Sequence, residues 1–319
     1  MNSRPNITTQ FRLMRIDYPE LSTAHRVFDR VREARREALS IGGAVKIEGS
    51  TVTLFAKSHA GKTTILDYYL EKRFPDGIDP VRPDGPTPQR TVVAVMMNGV
   101  STYKSFLRQI LRSFHDPLPN EGDSDALLVR INNYINRFKT ELLIFDEASN
   151  LRILKATDND ATQTHNTLRG FPKLGCPIVI SGTEEAREKI MSDHQLVSLG
   201  DDVSISKLDE KNPEHIRHFA AYCAELGVCL KKHDLFPERS NFIAGNTVAH
   251  LFVASGGYRG RVSRLVERVA YIARDAGADR VEICHLEAAT DSYSIANRIV
   301  SHNPFRENRP TRKGETRVG

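Results

Sequence analysis

Three stretches of this chain are apolar without interruption: residues 92–97, 142–145 and 177–180. Runs of that length predict strands buried on both faces of a sheet. A β-rich run at 51–55 and an alternating one at 203–208 add two more. Between them the apolar positions recur at three- and four-residue steps. Ala24, Val27, Phe28, Val31, Ala34, Ala38 and Leu39 predict a helix that Ser22 or Thr23 can cap and that Gly42-Gly43 ends. The same spacing predicts helices over 65–73, 103–114, 125–138 and 184–191. Residues 74–90 hold five prolines and read as a surface loop, and 157–166 is a polar segment without a pattern. Strands that alternate with helices, with no short hairpin signals, predict an α/β fold: a parallel five-stranded sheet flanked by helices on both faces.

From Asn212 the strand-like runs stop. Pro213 sits at a helix start, and helical patterns cover 214–226, 245–254, 262–276 and 285–299. The expected organisation is an irregular N-terminal arm (1–21), an α/β domain (22–211), a small helical domain (212–302) and a flexible basic tail (303–319) carrying Arg306, Arg309, Arg312, Lys313 and Arg317. No internal repeat is visible.

The composition, 39% hydrophobic and 27% charged, is that of an ordinary globular protein rather than a disordered one. A net charge of +5 and a pI near 9.0 permit contact with nucleic acid without requiring it. Arg26, Arg30, Arg32, Arg35 and Arg36 lie opposite the apolar stripe of the first helix. With Glu33 and Glu37 among them, they read as a solvated face. The first ten residues lack the apolar core of a signal peptide, and no run is long enough to span a bilayer. The expected location is the cytoplasm, without membrane contact. Cys176, Cys223, Cys229 and Cys284 form no C-x-x-C pair, and Cys223, Cys229 and His233 fit no standard zinc spacing; buried thiols are expected.

Candidate chemistry begins at residues 51–64. Strand, loop and helix follow one another through Ala56, Lys57, Ser58, His59, Ala60, Gly61, Lys62, Thr63 and Thr64. This is the context of a P-loop, in which backbone N–H groups and a helix N-terminus converge on phosphate. Lys62 would place a charge at the β- and γ-phosphates, and Thr63 a hydroxyl on Mg²⁺. The consensus first glycine is replaced by Ala56, which obstructs the loop only if that position needs positive φ. Strand 142–145 closes on Asp146 and Glu147, suited respectively to holding Mg²⁺ through water and to activating an attacking water. Ser181 and Thr183 close the next strand. A hydroxyl there can orient the lytic water or cap the following helix, and both readings stand. Arg259 and Arg261, behind Gly256-Gly257, either extend to a γ-phosphate or are surface arginines of a helix-start loop.

Together these pieces resemble the AAA+ P-loop NTPases, whose helical lid follows the α/β domain. More narrowly, the chain is similar to the TniB/TnsC group of transposition regulators. The carrying residues are Ala56 to Thr63, Leu142 to Glu147, Ile180-Ser181-Gly182-Thr183-Glu184-Glu185-Ala186, Gln195-Leu196 and Gly257 to Arg261. The resemblance runs over residues 20–305 and implies binding of ATP and Mg²⁺ and self-assembly into rings or helical filaments on double-stranded DNA. It further implies recruitment of a DDE transposase, positioning by a target selector of the TniQ type, and hydrolysis that promotes disassembly. Carried over by position, Thr183 or Ser181 is sensor 1 and Arg261 is sensor 2. Tyr103, Lys104, Arg152 and Lys155 are the implied DNA contacts. Leu199 stands where an arginine commonly follows the serine, which leaves the arginine finger unassigned, with Arg169 and Arg187 as substitutes. Weak or assembly-dependent ATPase activity is therefore expected. The alternatives are a non-hydrolysing, ATP-gated DNA-binding scaffold and a different AAA+ DNA protein, such as a helicase loader.

Overall fold

The computed structural model describes residues 5–41, 47–73, 90–97, 99, 102–150, 159–191 and 200–306. Gly42-Gly43, the proline-rich stretch, Arg152, Lys155, Gln195 to Leu199 and the tail beyond Arg306 lie outside them. The elements run α1 (Ile7–Leu13), α2 (Pro19–Ile41), β1 (Thr51–Phe55), α3 (Lys62–Arg73), β2 (Val92–Met96), α4 (Tyr103–Ser113), α5 (Ser124–Arg137), β3 (Leu142–Asp146), α6 (Asn159–Lys173), β4 (Ile178–Gly182), α7 (Glu184–Met191) and β5 (Gly200–Ser204). Helices α8 (Pro213–Lys232), α9 (Thr247–Ser255), α10 (Arg259–Asp275) and α11 (Ile283–Ala289) follow.

The chain divides into two compact units. One is Pro19–Ile205; the other joins the segment up to Tyr18 to everything from Ser206 onward. In the first, five parallel strands stand in the order β2-β3-β4-β1-β5. Strands β1, β3 and β4, the inner three of the five, are buried along their whole length. One face of the sheet, with Phe55, Val93, Val95, Leu143, Phe145, Ile178 and Ile180, shares a core with Phe106, Ile110, Ile131, Phe171 and Ile190 from α4 to α7. Each such side chain contributes roughly 1.5–3 kcal/mol on burial. Helix α2 packs against β3, β5 and α3.

Several expectations are corrected. Strand β2 is at the sheet edge, with Ala94 and Met96 exposed, so its apolar run is not buried on both faces. Helix α2 begins at Pro19, which puts Ser22 and Thr23 inside it. Residues 159–166 of the polar segment belong to α6, whose core positions are filled by Thr164, Thr167, Leu168 and Phe171. The α2 arginines are not simply solvated: Arg32 and Arg35 are buried, and Arg30 and Arg36 pair with Asp201 and Glu141.

The second unit is helical. Its core joins Phe219, Cys223 and Leu226 of α8 to Leu251 of α9, Val262, Leu265 and Val269 of α10 and Leu286 of α11. Ile7, Met14 and Ile16 are part of that core. Within the expected irregular arm, Ile7–Leu13 form a short helix, capped by Asn6, with Thr8 Oγ1 donating to Glu267 Oε1 at 2.8 Å. Phe305 is also buried there, and Asn303 Nδ2 donates to Glu287 O and Asp291 Oδ1, so residues 303–306 are packed. Among the described residues no helix is long and apolar enough to cross a membrane.

Candidate nucleotide site

Register decides what meets at the C-terminal edge of the sheet. Phe55 pairs with Gly182, and Phe145 with Ile180, so the ends of β1, β4 and β3 are level on adjacent strands. The loop after β1, Thr183 after β4, and Asp146 with Glu147 at the end of β3 therefore share one edge. Ligands of open parallel sheets bind at this edge.

The loop from Ala56 to Gly61 delivers the chain to the first turn of α3, whose leading N–H groups have no intrahelical partner. Lys57, Ser58, His59, Thr63 and Thr64 are exposed, while Ala56 and Ala60 are buried. Gly61 has φ 110°, the left-handed region that glycine occupies without penalty, and His59 has φ 62°. Ala56 is not among the residues with positive φ, and its N–H donates to Gly182 O at 3.3 Å. Alanine is accommodated there without backbone strain, so the missing first glycine does not obstruct the loop.

Lys62 is buried, and its Nζ donates to Ala56 O at 3.0 Å and Lys57 O at 3.3 Å. No carboxylate among the described residues is within ion-pair distance of it. Burial pushes its pKa below the ordinary 10.5, opposed by the fields of Glu147, Asp146, Glu184 and Glu185. A desolvated ammonium that rests only on carbonyls is stabilised by any phosphate that enters. Asp146 is buried, and its Oδ1 accepts the Glu147 N–H at 2.9 Å. Glu147 is half-buried with φ 58°, a conformation that costs a non-glycine residue about 1–3 kcal/mol. The oxygen donors Thr63 and Asp146 suit Mg²⁺, which takes one or two protein ligands beside water and phosphate. The donor set and the desolvated lysine fit Mg-ATP.

Of the two hydroxyls at the end of β4, Ser181 is fully buried with no partner for its Oγ among the described residues, and Thr183 stands at the edge. The Thr183 hydroxyl does not cap α7. Its partner is Ser149, in the 3₁₀ turn Ala148–Asn150 after β3. Ser149 escaped notice in the sequence because a lone serine two residues past an acidic pair carries no pattern; only the fold brings it to Thr183.

The other candidates are less favourably placed. Tyr103 is buried, with its hydroxyl 2.9 Å from Thr167 Oγ1, and so is not a surface contact for DNA; the adjacent Lys104 is half-buried. Arg187 pairs with Asp202 and lies 3.9 Å from Glu184, and Arg169 bonds Asn166. In the helical unit Arg259 is buried over the Tyr18 ring, whereas Arg261 is half-buried and stacks 4.8 Å from the Tyr258 ring centroid.

Solved structures share this fold. Cdc6p from Pyrobaculum aerophilum aligns with a TM-score of 0.58 at 12% identity, over 89% of this chain and 70% of that one. The Aeropyrum pernix ORC1 protein in complex with DNA aligns at 0.55 and 14% identity, over 89% and 69%. The Aeropyrum pernix ORC2 protein, in ADPNP-ADP complexes, aligns at 0.56 and 14%, over 88% and 71%. At such identities the likeness shows the fold alone: that of AAA+ P-loop proteins. No curated protein matches in sequence. The family model described as bacterial TniB protein matches residues 24–207, more than half of the chain.

Proposed function

Given that the chain belongs to the bacterial TniB protein family, we propose that it is an ATP-dependent DNA-binding regulator of transposition. It assembles on duplex DNA, recruits or stimulates a DDE transposase, and hydrolyses ATP slowly to disassemble. The observation that carries this is Lys62: buried, held only by loop carbonyls, and at the sheet edge that also holds Asp146 and Glu147. The solved relatives of the same fold in complex with DNA and with ADPNP and ADP support nucleotide-dependent work on DNA.

Mg-ATP would supply the phosphoanhydride and the cation. Lys62 leaves the carbonyls of Ala56 and Lys57 for phosphate oxygens, helped by the α3 N-terminus. Residues 57–61, Thr63 and Thr64 would line the phosphates, and the Thr63 hydroxyl and Asp146 would hold the cation. Glu147 accepts a proton from the attacking water, and Thr183 orients that water. Contacts to DNA phosphates from Lys104, Arg152 and Lys155 set affinity without reading sequence. The transposase and a TniQ-type selector are the protein partners.

Phosphate release with and without duplex DNA tests this reading. Turnover is expected to be slow and DNA-stimulated, and Glu147→Gln should lower it at least about 100-fold while ATP still binds. ATP binding and DNA assembly without any phosphate release would favour the non-hydrolysing scaffold, a reading that Leu199 supports. Electron microscopy with a non-hydrolysable analogue should show filaments or stacked rings on DNA; monomers free of DNA would overturn both readings.

A further inference from the structure

Two loops that end separate strands are joined by a reciprocal pair of hydrogen bonds. Ser149 Oγ donates to Thr183 Oγ1 at 3.1 Å and accepts the Thr183 backbone N–H at 3.1 Å. Thirty-four positions separate the partners in sequence. We propose that Ser149 is a positioning residue that fixes the Thr183 hydroxyl as a donor toward the γ-phosphate side of the site and couples the Glu147 turn to β4.

The chemistry follows from counting protons. A threonine hydroxyl has one proton and two lone pairs. The Ser149 proton occupies one lone pair of Thr183 Oγ1, so the threonine's own proton is directed elsewhere. Thr183 is not in the protein's interior, and it makes no other side-chain bond among the described residues. Its free proton is therefore available to an oxygen of water or phosphate. The Thr183 carbonyl is committed as well, because it accepts Ala186 N at 3.0 Å and Arg187 N at 3.1 Å in the first turn of α7. Backbone and side chain of Thr183 are thus both held before any ligand arrives, which is the preorganisation that a donor to a developing charge requires.

The same contact bears on Glu147. Ser149 belongs to the turn Ala148–Asn150, which packs on β4 and α7 and which Asn150 N closes on Glu147 O at 2.9 Å. Its first residue, Ala148, is buried. Glu147 occupies the left-handed region at φ 58°, and such a conformation persists only where its surroundings over-determine it. The bond of Asp146 Oδ1 to the Glu147 N–H secures one side of that residue, and the turn anchored through Ser149 secures the other. Loss of the Ser149 hydroxyl would release Thr183 and relax the glutamate turn together.

For its catalytic arm this inference rests on the ATPase reading above; its structural arm does not. Amide hydrogen exchange of ligand-free protein reads the Thr183 N–H directly. Ser149→Ala is expected to speed exchange there about 10-fold, and Ser149→Thr, which keeps the hydroxyl, to restore protection. Exchange at Thr183 that is equal in wild type and both variants would overturn the proposal. On duplex DNA, Ser149→Ala should lower kcat about 10-fold with KM within about twofold, and Ser149→Thr should recover it. Equal loss in both variants, or a matching fall in thermal stability, would assign Ser149 a merely structural role and overturn the positioning role. Wild-type protein that binds ATP but never releases phosphate would refute the ATPase reading instead, leaving the exchange experiment to decide whether the contact exists.

Discussion

A glycine inside a helix costs about 0.5–1 kcal/mol relative to alanine, so Gly227 in the interior of α8 needs a reason. A Cβ at that position would lie 2.1 Å from Ser240 O, a backbone atom with no flexible end to give way. The glycine lets a loop cross the helix closely, and that loop is in turn bonded to Val281 N through Ser240 Oγ. Gly227→Ala should destabilise the helical unit by about 2–4 kcal/mol, seen as a lower melting temperature. No sequence pattern marks such a crossing. Residue identities at the nucleotide edge were more legible: Lys62 and Asp146 declare their chemistry because each follows an apolar strand or its loop. Ala56 was ambiguous, since its tolerance depends on a φ that the sequence does not state. Ser149 was invisible, since its partner is set by strand adjacency.

Among elements, α2 shows what charge patterning conceals. Arg32 donates to Glu141 Oε2 at 3.1 Å and to Tyr69 Oη at 2.9 Å, and Arg36 Nε donates to Glu141 Oε1 at 2.9 Å. Tyr69 in turn donates to Asp29 Oδ1 at 2.8 Å, and burial pushes its pKa up to about 12. This network ties α2 to α3, the helix that starts at Lys62, and to the foot of β3, the strand that ends at Asp146. Glu141→Gln removes the nearer carboxylate of Arg32, at 2.9 Å, and leaves only Asp29 at 3.8 Å among the described residues, and should cost about 1–3 kcal/mol in denaturant unfolding. Arg36→Ala should cost under about 1 kcal/mol, because that side chain is largely in water. The arginines read as solvated because glutamates were interspersed among them, whereas the partner that matters lies over 100 positions away. Helix α6 was missed for a related reason: threonines fill core positions, and Gly170 and Pro172 interrupt the apolar spacing. Strand β5 begins at Gly200, earlier than the alternating run at 203–208 predicts, because its Asp201 and Asp202 pair with Arg30 and Arg187 rather than alternating with apolar residues.

For the whole molecule, the α/β unit with its parallel five-stranded sheet follows from strand runs and helix spacing, whereas the strand order β2-β3-β4-β1-β5 has no signal in the sequence. Membership of residues 5–18 was not legible either, because seven helical residues are too few to show a period. They complete the helical unit: Arg274 donates to Pro5 O at 2.7 Å, and His233 Nδ1 lies 3.0 Å from Gln10 Oε1. Ile7→Ala should cost about 2–5 kcal/mol. Removal of residues 1–18 should raise hydrogen exchange through α8 and α10 while leaving β1, β3 and β4 protected. The His233 pKa is lowered by burial and by Lys232, so its unfolded form binds the extra proton. Its contribution is complete above the ordinary 6.5 and fades as pH falls through it, a weak acid sensitivity that His233→Asn should remove from thermal melts.

The position of α1 also has a consequence in time. At about 5–20 residues per second, roughly 10–50 s of synthesis separate the emergence of Ile7 from that of α10, against which it packs. Throughout that interval a short helix with one buried residue, Ile7, has left the ribosome ahead of α10. The core that Ile7 shares with α8 to α11 can close only after α11 has been made. A bulky fusion at the N-terminus should therefore register first in the folding yield of the C-terminal half.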